Sequence, residues 1–171
     1  MKLWQKNTAA LAEVERFTVG RDREFDLQLA PFDILGSMAH VTMLETVQLL
    51  TAAERDQLLK ALREIYATTQ PGHTTPFVIR PDVEDVHSQV EWQLTSMLGD
   101  AGKKIHSARS RNDQVLVDIK LFLRHQLGEL VQQLVPLFEL LQAQSEKHKN
   151  DLVPGYTHLQ LAMPSSFGLW F

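Results

Sequence analysis

This chain of 171 residues predicts an all-α fold, and three observations carry that prediction. Runs that alternate apolar and polar residues are few, whereas apolar residues recur at spacings of three and four, the repeat of one helix face. Thr51-Ala52-Ala53-Glu54 has the form of a capping box, which marks a helix start. From Val115 to Leu141 the helical spacing of apolar residues continues without a break, predicting one very long helix.

The elements follow in order. A short helix covers Thr8 to Phe17, and a second runs from Asp33 to Leu50 with Ile34, Met38, Val41, Leu44 and Val47 on its stripe. The helix opened by Thr51 carries Leu58, Leu59, Leu62, Ile65 and Tyr66 and ends near Thr69. Gln70 to Pro81, with three prolines and Gly72, predicts a loop in which Phe77, Val78 and Ile79 form a brief extended piece. Val83, Val86, Val90, Leu94 and Met97 then define a helix face that Gly99 ends.

The other face of that helix groups Glu84, His87, Ser88 and Glu91 within about 60° of one another, with Asp85 beside them. Taken alone, the group reads as a solvated face whose i,i+3 and i,i+4 pairs happen to include a histidine, with a functional site as the alternative. The long helix reaches to about Lys149, so roughly 36 residues at 1.5 Å each give about 54 Å, with a kink expected at Pro136. Its second half carries Leu134, Val135, Leu137, Phe138, Leu140 and Leu141, a sector too wide for one neighbour, which predicts a bundle drawing partly on other chains. Asn150 to Gly155 predicts a loop, Tyr156 to Pro164 a connector and Ser165 a new helix start. The close on Phe167-Gly168-Leu169-Trp170-Phe171 suits a fragment better than a finished domain.

Composition narrows the functions. A net charge of −4 opposes a nucleic-acid or anionic-membrane binder, and 44% hydrophobic residues suffice for a core. Absence of cysteine excludes thiolate chemistry and disulfides and suits the cytoplasm. No stretch approaches the ~18 apolar residues of a membrane span, and none reads as an export signal. Gly99 to Lys104 lacks the spacing and the Ser/Thr of a P-loop. None of the seven histidines falls in H-E-x-x-H, and no metal is predicted.

The stretch His106-Ser107-Ala108-Arg109-Ser110-Arg111-Asn112-Asp113-Gln114 carries the chemistry. With Ser110 as N-cap and Asp113 three residues on, free N–H groups and the helix dipole favour an anion, and Ser110, Arg111 and Asn112 add directional donors for a carboxylate or phosphate. An ordinary cap flanked by surface bases remains the alternative. His158, beside Thr157 in a connector, is placed to move a proton near neutral pH, or is merely structural.

Three islands together, Asp82 to Ser88, Gly102 to Gln114 and Pro154 to Gln160, resemble argininosuccinate lyase in content, order and separation. The likeness runs from Leu3 to Phe171 and covers about the amino-terminal third to two fifths of a usual member. It implies membership of the fumarase/aspartase superfamily: an all-helical homotetramer around a central bundle, with each active site built from three subunits. It implies reversible elimination of fumarate from argininosuccinate, releasing arginine, with no metal or organic cofactor. On this likeness residues 1–110 are an amino-terminal helical domain and 111–171 the first part of the central bundle.

The resemblance implies roles as well. Ser110, Arg111 and Asn112 match the substrate-binding segment, Thr157 the carboxylate-contacting threonine, and Asp85 a group near the guanidinium end of the substrate. His158 matches the proton-transfer histidine, read here as general acid to the departing guanidino nitrogen, although the family's histidine has also been cast in the base system. The family's base serine lies in a Gly-Ser-Ser loop with no counterpart before Phe171, so the chain alone is expected to lack turnover. Two departures stand out. Asp22 falls where the family has a substrate-contacting serine, and Leu161 and Met163 replace an arginine and a glutamine after the Thr-His pair; the usual opening is also missing around Trp4. Adenylosuccinate lyase, which shares a Thr-His element but not the Ser110 to Gln114 segment, and a non-catalytic structural protein on the same scaffold are the alternatives.

Overall fold

The computed structural model describes residues 12–171, in two compact units that divide between Leu123 and Arg124. Each unit has its own logic. In the first, α1 (Ala12–Val19) overlaps the predicted first helix, whose residues 8–11 lie outside the described part. Helix α2 (Asp22–Thr46) begins well before the predicted Asp33. Asp22 and Glu24 in its first turn complement the helix dipole, and Pro31 is absorbed inside it. It ends at Thr46, before the predicted Leu50: Val47 is the C-cap and Gln48 turns the backbone at φ +63°.

Thr51 starts α3 (Ala52–Thr68) with the expected capping box: the Glu54 N–H donates to the threonine hydroxyl at 3.2 Å, and the Thr51 N–H to the Glu54 carboxylate at 2.9 Å. Leu58, Ala61, Leu62 and Ile65 of α3 are buried, as are Ala30, Ile34, Val41 and Leu44 of α2 and Val86, Val90 and Leu94 of α4 (Val86–Leu98). These faces form one core. Phe77 to Ile79 make no strand. The Phe77 N–H donates to the Thr68 carbonyl at 2.8 Å and its ring is buried while Val78 is exposed, so the segment straps α3 without a second strand to pair with.

Gly99, at φ +62°, ends α4 and leads into the single turn α5 (Asp100–Lys103) and a 3-10 turn over Lys104–His106. Gly102 meets α4 backbone to backbone; a Cβ there would lie 2.4 Å from the Leu94 carbonyl, so only glycine fits. Helix α6 (Arg111–Lys147) has 37 residues, about 55 Å, with Pro136 inside. Its first part belongs to the first unit. There α2 approaches closely at Gly36, whose Cβ would meet Val117 Cγ1 at 3.2 Å, and Phe32 packs edge-on against Phe122 at 5.8 Å.

In the second unit, α6 continues with Leu127, Leu130, Val131, Leu134, Leu137 and Phe138 all exposed. The region read as loop and connector is a hairpin of β1 (Leu152–Thr157) and β2 (Gln160–Ser166), the two strands among the described residues in an otherwise helical chain. Its pairing slips once: Gly155 faces Met163 but Tyr156 faces Leu161, which leaves Ala162 as an extra residue, a β-bulge. The short α7 (Phe167–Trp170) then docks on the end of α6, where the Ser145 hydroxyl donates to the Gly168 carbonyl at 2.6 Å. No described helix is long and apolar enough to cross a membrane.

Candidate functional site

The start of α6 is tied by a reciprocal cap. The Ser110 N–H donates to the Asp113 carboxylate at 2.7 Å and the Asp113 N–H to the Ser110 hydroxyl at 3.3 Å. These bonds from Ser110 hold the Asp113 carboxyl below its ordinary range. Asn112 is exposed on the first turn. Ala108, two residues ahead of the cap, has φ +59°, a left-handed conformation that costs a non-glycine residue about 1–3 kcal/mol.

Arg111 is held on three sides. Its Nη2 donates to the Ser88 hydroxyl at 3.0 Å and its Nη1 to the Gln114 side-chain oxygen at 3.3 Å. Asp85 Oδ2 lies 3.3 Å from Nε, an ion-pair distance without hydrogen-bond alignment, which leaves that buried N–H without an acceptor. Asp85 works twice, since its Oδ1 caps α4 by accepting the Ser88 N–H at 2.7 Å. The structure therefore brings together Asp85 and Arg111, two of the residues singled out in sequence. Both are about four-fifths buried, so the pair is better shielded from water than an ordinary surface bridge.

Beneath Arg111 lies a polar cluster that the sequence did not reveal. His87 Nδ1 donates to Asp33 Oδ1 at 2.9 Å and is 3.5 Å from Asp118 Oδ2, and all three side chains are buried. The solvated reading of the His87 face is thus wrong for His87 itself, which turns inward because Asp33 meets it there. Burial opposes a charged imidazole, yet the hydrogen bond to Asp33 and the charges of Asp33, Asp85 and Asp118 outweigh it and raise the His87 pKa. Burial, reinforced by the Asp33 charge, pushes Asp118 up to about 7 against the pull of His87 and Arg109. Arg109 donates to the Ser37 hydroxyl at 3.0 Å. Burial lowers its pKa, opposed by the nearby charges of Asp33 and Asp118.

Asp33, His87 and Asp118 each offer one donor atom within 4.8 Å of the others, a spacing that could suit a metal ion. However, the His87 imidazole already sits against both carboxyl groups, and Arg109 adds positive charge close by. One sequence signal could have found it: Asp33 and Asp118 each stand in an apolar stripe, beside Ile34 and between Val115 and Phe122.

Thr157 and His158 stand together in the second unit, at the exposed end of the hairpin. His158 and Leu159 form its two-residue turn, at φ +51° and +63°. Such turns favour Asn-Gly, because both positions require left-handed backbone. A histidine and a leucine there are strained, a condition that concentrates at working sites.

The chain is 61% identical over 170 residues to the argininosuccinate lyase of Phocaeicola vulgatus, 62% over 170 residues to that of Bacteroides fragilis and 43% over 164 residues to that of Azotobacter vinelandii. These alignments cover 99%, 99% and 94% of this chain but 37%, 37% and 34% of the relatives, so the chain spans little more than a third of their length. A family model described as Lyase matches residues 2–171. Matched from its second residue to its last, the chain belongs to that lyase family.

Proposed function

We propose that the chain is the amino-terminal part of an argininosuccinate lyase, which eliminates fumarate from argininosuccinate and releases arginine. One observation carries the reading: an arginine held side-on at a helix start by Asp85, Ser88 and Gln114, in a chain 61% identical along nearly its whole length to proteins of that name. In this elimination a proton leaves the carbon next to a carboxylate, the C–N electron pair passes to the guanidino nitrogen, and a C=C bond forms. Negative charge grows on the carboxylate in between, so preorganised donors lower the barrier. Arg111, Ser110 and Asn112 supply those donors at the positive end of α6, and Thr157 adds a hydroxyl.

His158 delivers a proton to the departing nitrogen as general acid. Its turn, bent against the preference of both residues, supports a working role. Asp85 offers carboxylate charge to the guanidino end while steadying Arg111. No base is assigned among these 171 residues. A homotetramer in the cytoplasm, serving arginine biosynthesis, completes the reading, supported by the uncovered apolar residues of α6 from Leu127 to Phe138.

The test is a chimera in which residues 2–171 replace the matching segment of the Bacteroides fragilis argininosuccinate lyase, with fumarate absorbance followed on argininosuccinate and on adenylosuccinate. Turnover of argininosuccinate is expected. Activity on adenylosuccinate alone rejects the substrate, and a folded chimera inactive on both points to a structural protein.

A further inference from the structure

We infer that Asp33, His87, Asp118 and Gln114 form a buried frame that positions Arg111, so that the anion-binding group at the start of α6 is aimed from beneath by side chains of α2, α4 and α6. The inference takes from the preceding section that Arg111 grips a carboxylate, and adds what fixes its direction.

Gln114 is the link. Its Nε2 donates to Asp33 Oδ1 at 3.5 Å and its Oε1 accepts from Arg111 Nη1 at 3.3 Å. An amide has one accepting and one donating end, and here a carboxylate faces one and a guanidinium the other, so only one orientation satisfies both. Asp33 is itself fixed by His87, which is fixed in turn between two carboxylates. His87 also precedes Ser88 on α4, and the Ser88 hydroxyl is the second tether on Arg111. The frame therefore reaches Arg111 through a side chain and through a helix.

The energetics favour a positioning role over simple cohesion. Apolar residues of similar volume stabilise a core as well as buried ions or better, because removing charges from water consumes most of what their attraction returns. Asp33 Oδ2 and Asp118 Oδ2 also remain without hydrogen-bond partners, a cost that a purely cohesive cluster would shed. What the cluster supplies is direction, since a guanidinium gripping a carboxylate needs its plane set to bind with both nitrogens. These are positioning residues: none is argued to touch the substrate.

Gln114→Met keeps the side-chain volume and removes the link. In the chimera it is expected to raise KM for argininosuccinate by about tenfold, the scale of one hydrogen bond to a charged group, while kcat changes less than about threefold. Asp118→Asn, which keeps its shape and lies away from Arg111, serves as the second variant, with a smaller rise in KM of about threefold. A second readout uses the 171-residue chain itself: the Arg111 Nη1–H resonances, on the nitrogen that donates to Gln114, should exchange with water at least about tenfold faster in Gln114→Met than in the parent. With an active parent chimera, unchanged KM in the folded variants overturns the inference. An inactive parent chimera counts against the lyase reading instead, and the exchange measurement then decides: an Arg111 N–H as protected in Gln114→Met as in the parent overturns the frame.

Discussion

Arg111 and His158 are held in opposite ways. Arg111 is gripped by three side chains above a buried ionic cluster, and its exposed neighbours Ser110 and Asn112 lie on the first turn of a long helix. His158 stands in the open on a two-residue turn that neither its own backbone nor that of Leu159 prefers. The first arrangement is complete within its unit. The second leaves the imidazole on an exposed hairpin turn. On the proposed roles, a binding residue would be preorganised locally, whereas a proton-transfer residue would be left on an exposed turn.

The contrast breaks most sharply in kinetics. In the chimera, His158→Asn should lower kcat by about 10²-fold or more, the scale of losing a general acid. An unchanged kcat would remove His158 from the mechanism. Arg111→Ala should act on the other parameter, raising KM by roughly 10–10²-fold as hydrogen bonds to a charged group disappear. A loss confined to kcat would mean that the two regions do not divide binding from proton transfer.

Next in size is a pH effect confined to the Arg111 region. The folded-state pKa of Asp118, about 7, lies above its ordinary 3.8, so its stabilising contribution is present at low pH and lost as pH rises toward 7. His87, raised above 6.5, acts with the same sign and loses its contribution at higher pH. His40 opposes them: its pKa is lowered, chiefly by burial, so its contribution grows as pH rises through 6.5. Asp26 and Asp33 from α2, Asp85 and Glu91 from α4, and Arg109 and Arg111 complete the charges around the cluster. Stability from pH 5 to pH 8 should fall by about 1–2 kcal/mol, roughly 3–6 °C in Tm, and Asp118→Asn should flatten most of that slope. A parent Tm that climbs over this range would refute the assignment.

The smallest effect sharpens the His158 side. Leu159 is 97% exposed, so Leu159→Gly removes no packing while relieving left-handed strain. A net gain of about 0.5–1 kcal/mol is expected, after the extra freedom glycine brings to the unfolded chain. Slower hydrogen exchange in β1 and β2 would report it, and faster exchange would show that the turn is not strained.

How far the sequence could be read follows from the range of each interaction. Local signals were legible: the Thr51 and Ser110 caps, the end of α4 at Gly99 and the unbroken periodicity of α6 each depend on residues within a turn or two. The start of α2 was not, because Pro31 and the polar run around Asp22 resemble a boundary until the core on its inner face is known. The hairpin was missed because β1 and β2 carry prolines and one bulge, which break the alternation that marks a strand. His87 shows the largest gap. Its helical face reads as solvated, and only Asp33, 54 residues away in sequence, turns it inward.

The unpaired Ala162 in β2 has a consequence for how this hairpin can change by mutation. Met163 and Leu161, two apart in β2, meet the consecutive β1 residues Gly155 and Tyr156, so the ribbon bends at that point while the pairs on either side keep their partners. Deleting Ala162 would let the same partners close into an unbroken ladder and straighten the approach to the His158 turn. No point substitution removes the extra residue, so the aim of that turn is set by the length of β2 between Gln160 and Met163 rather than by any one side chain there.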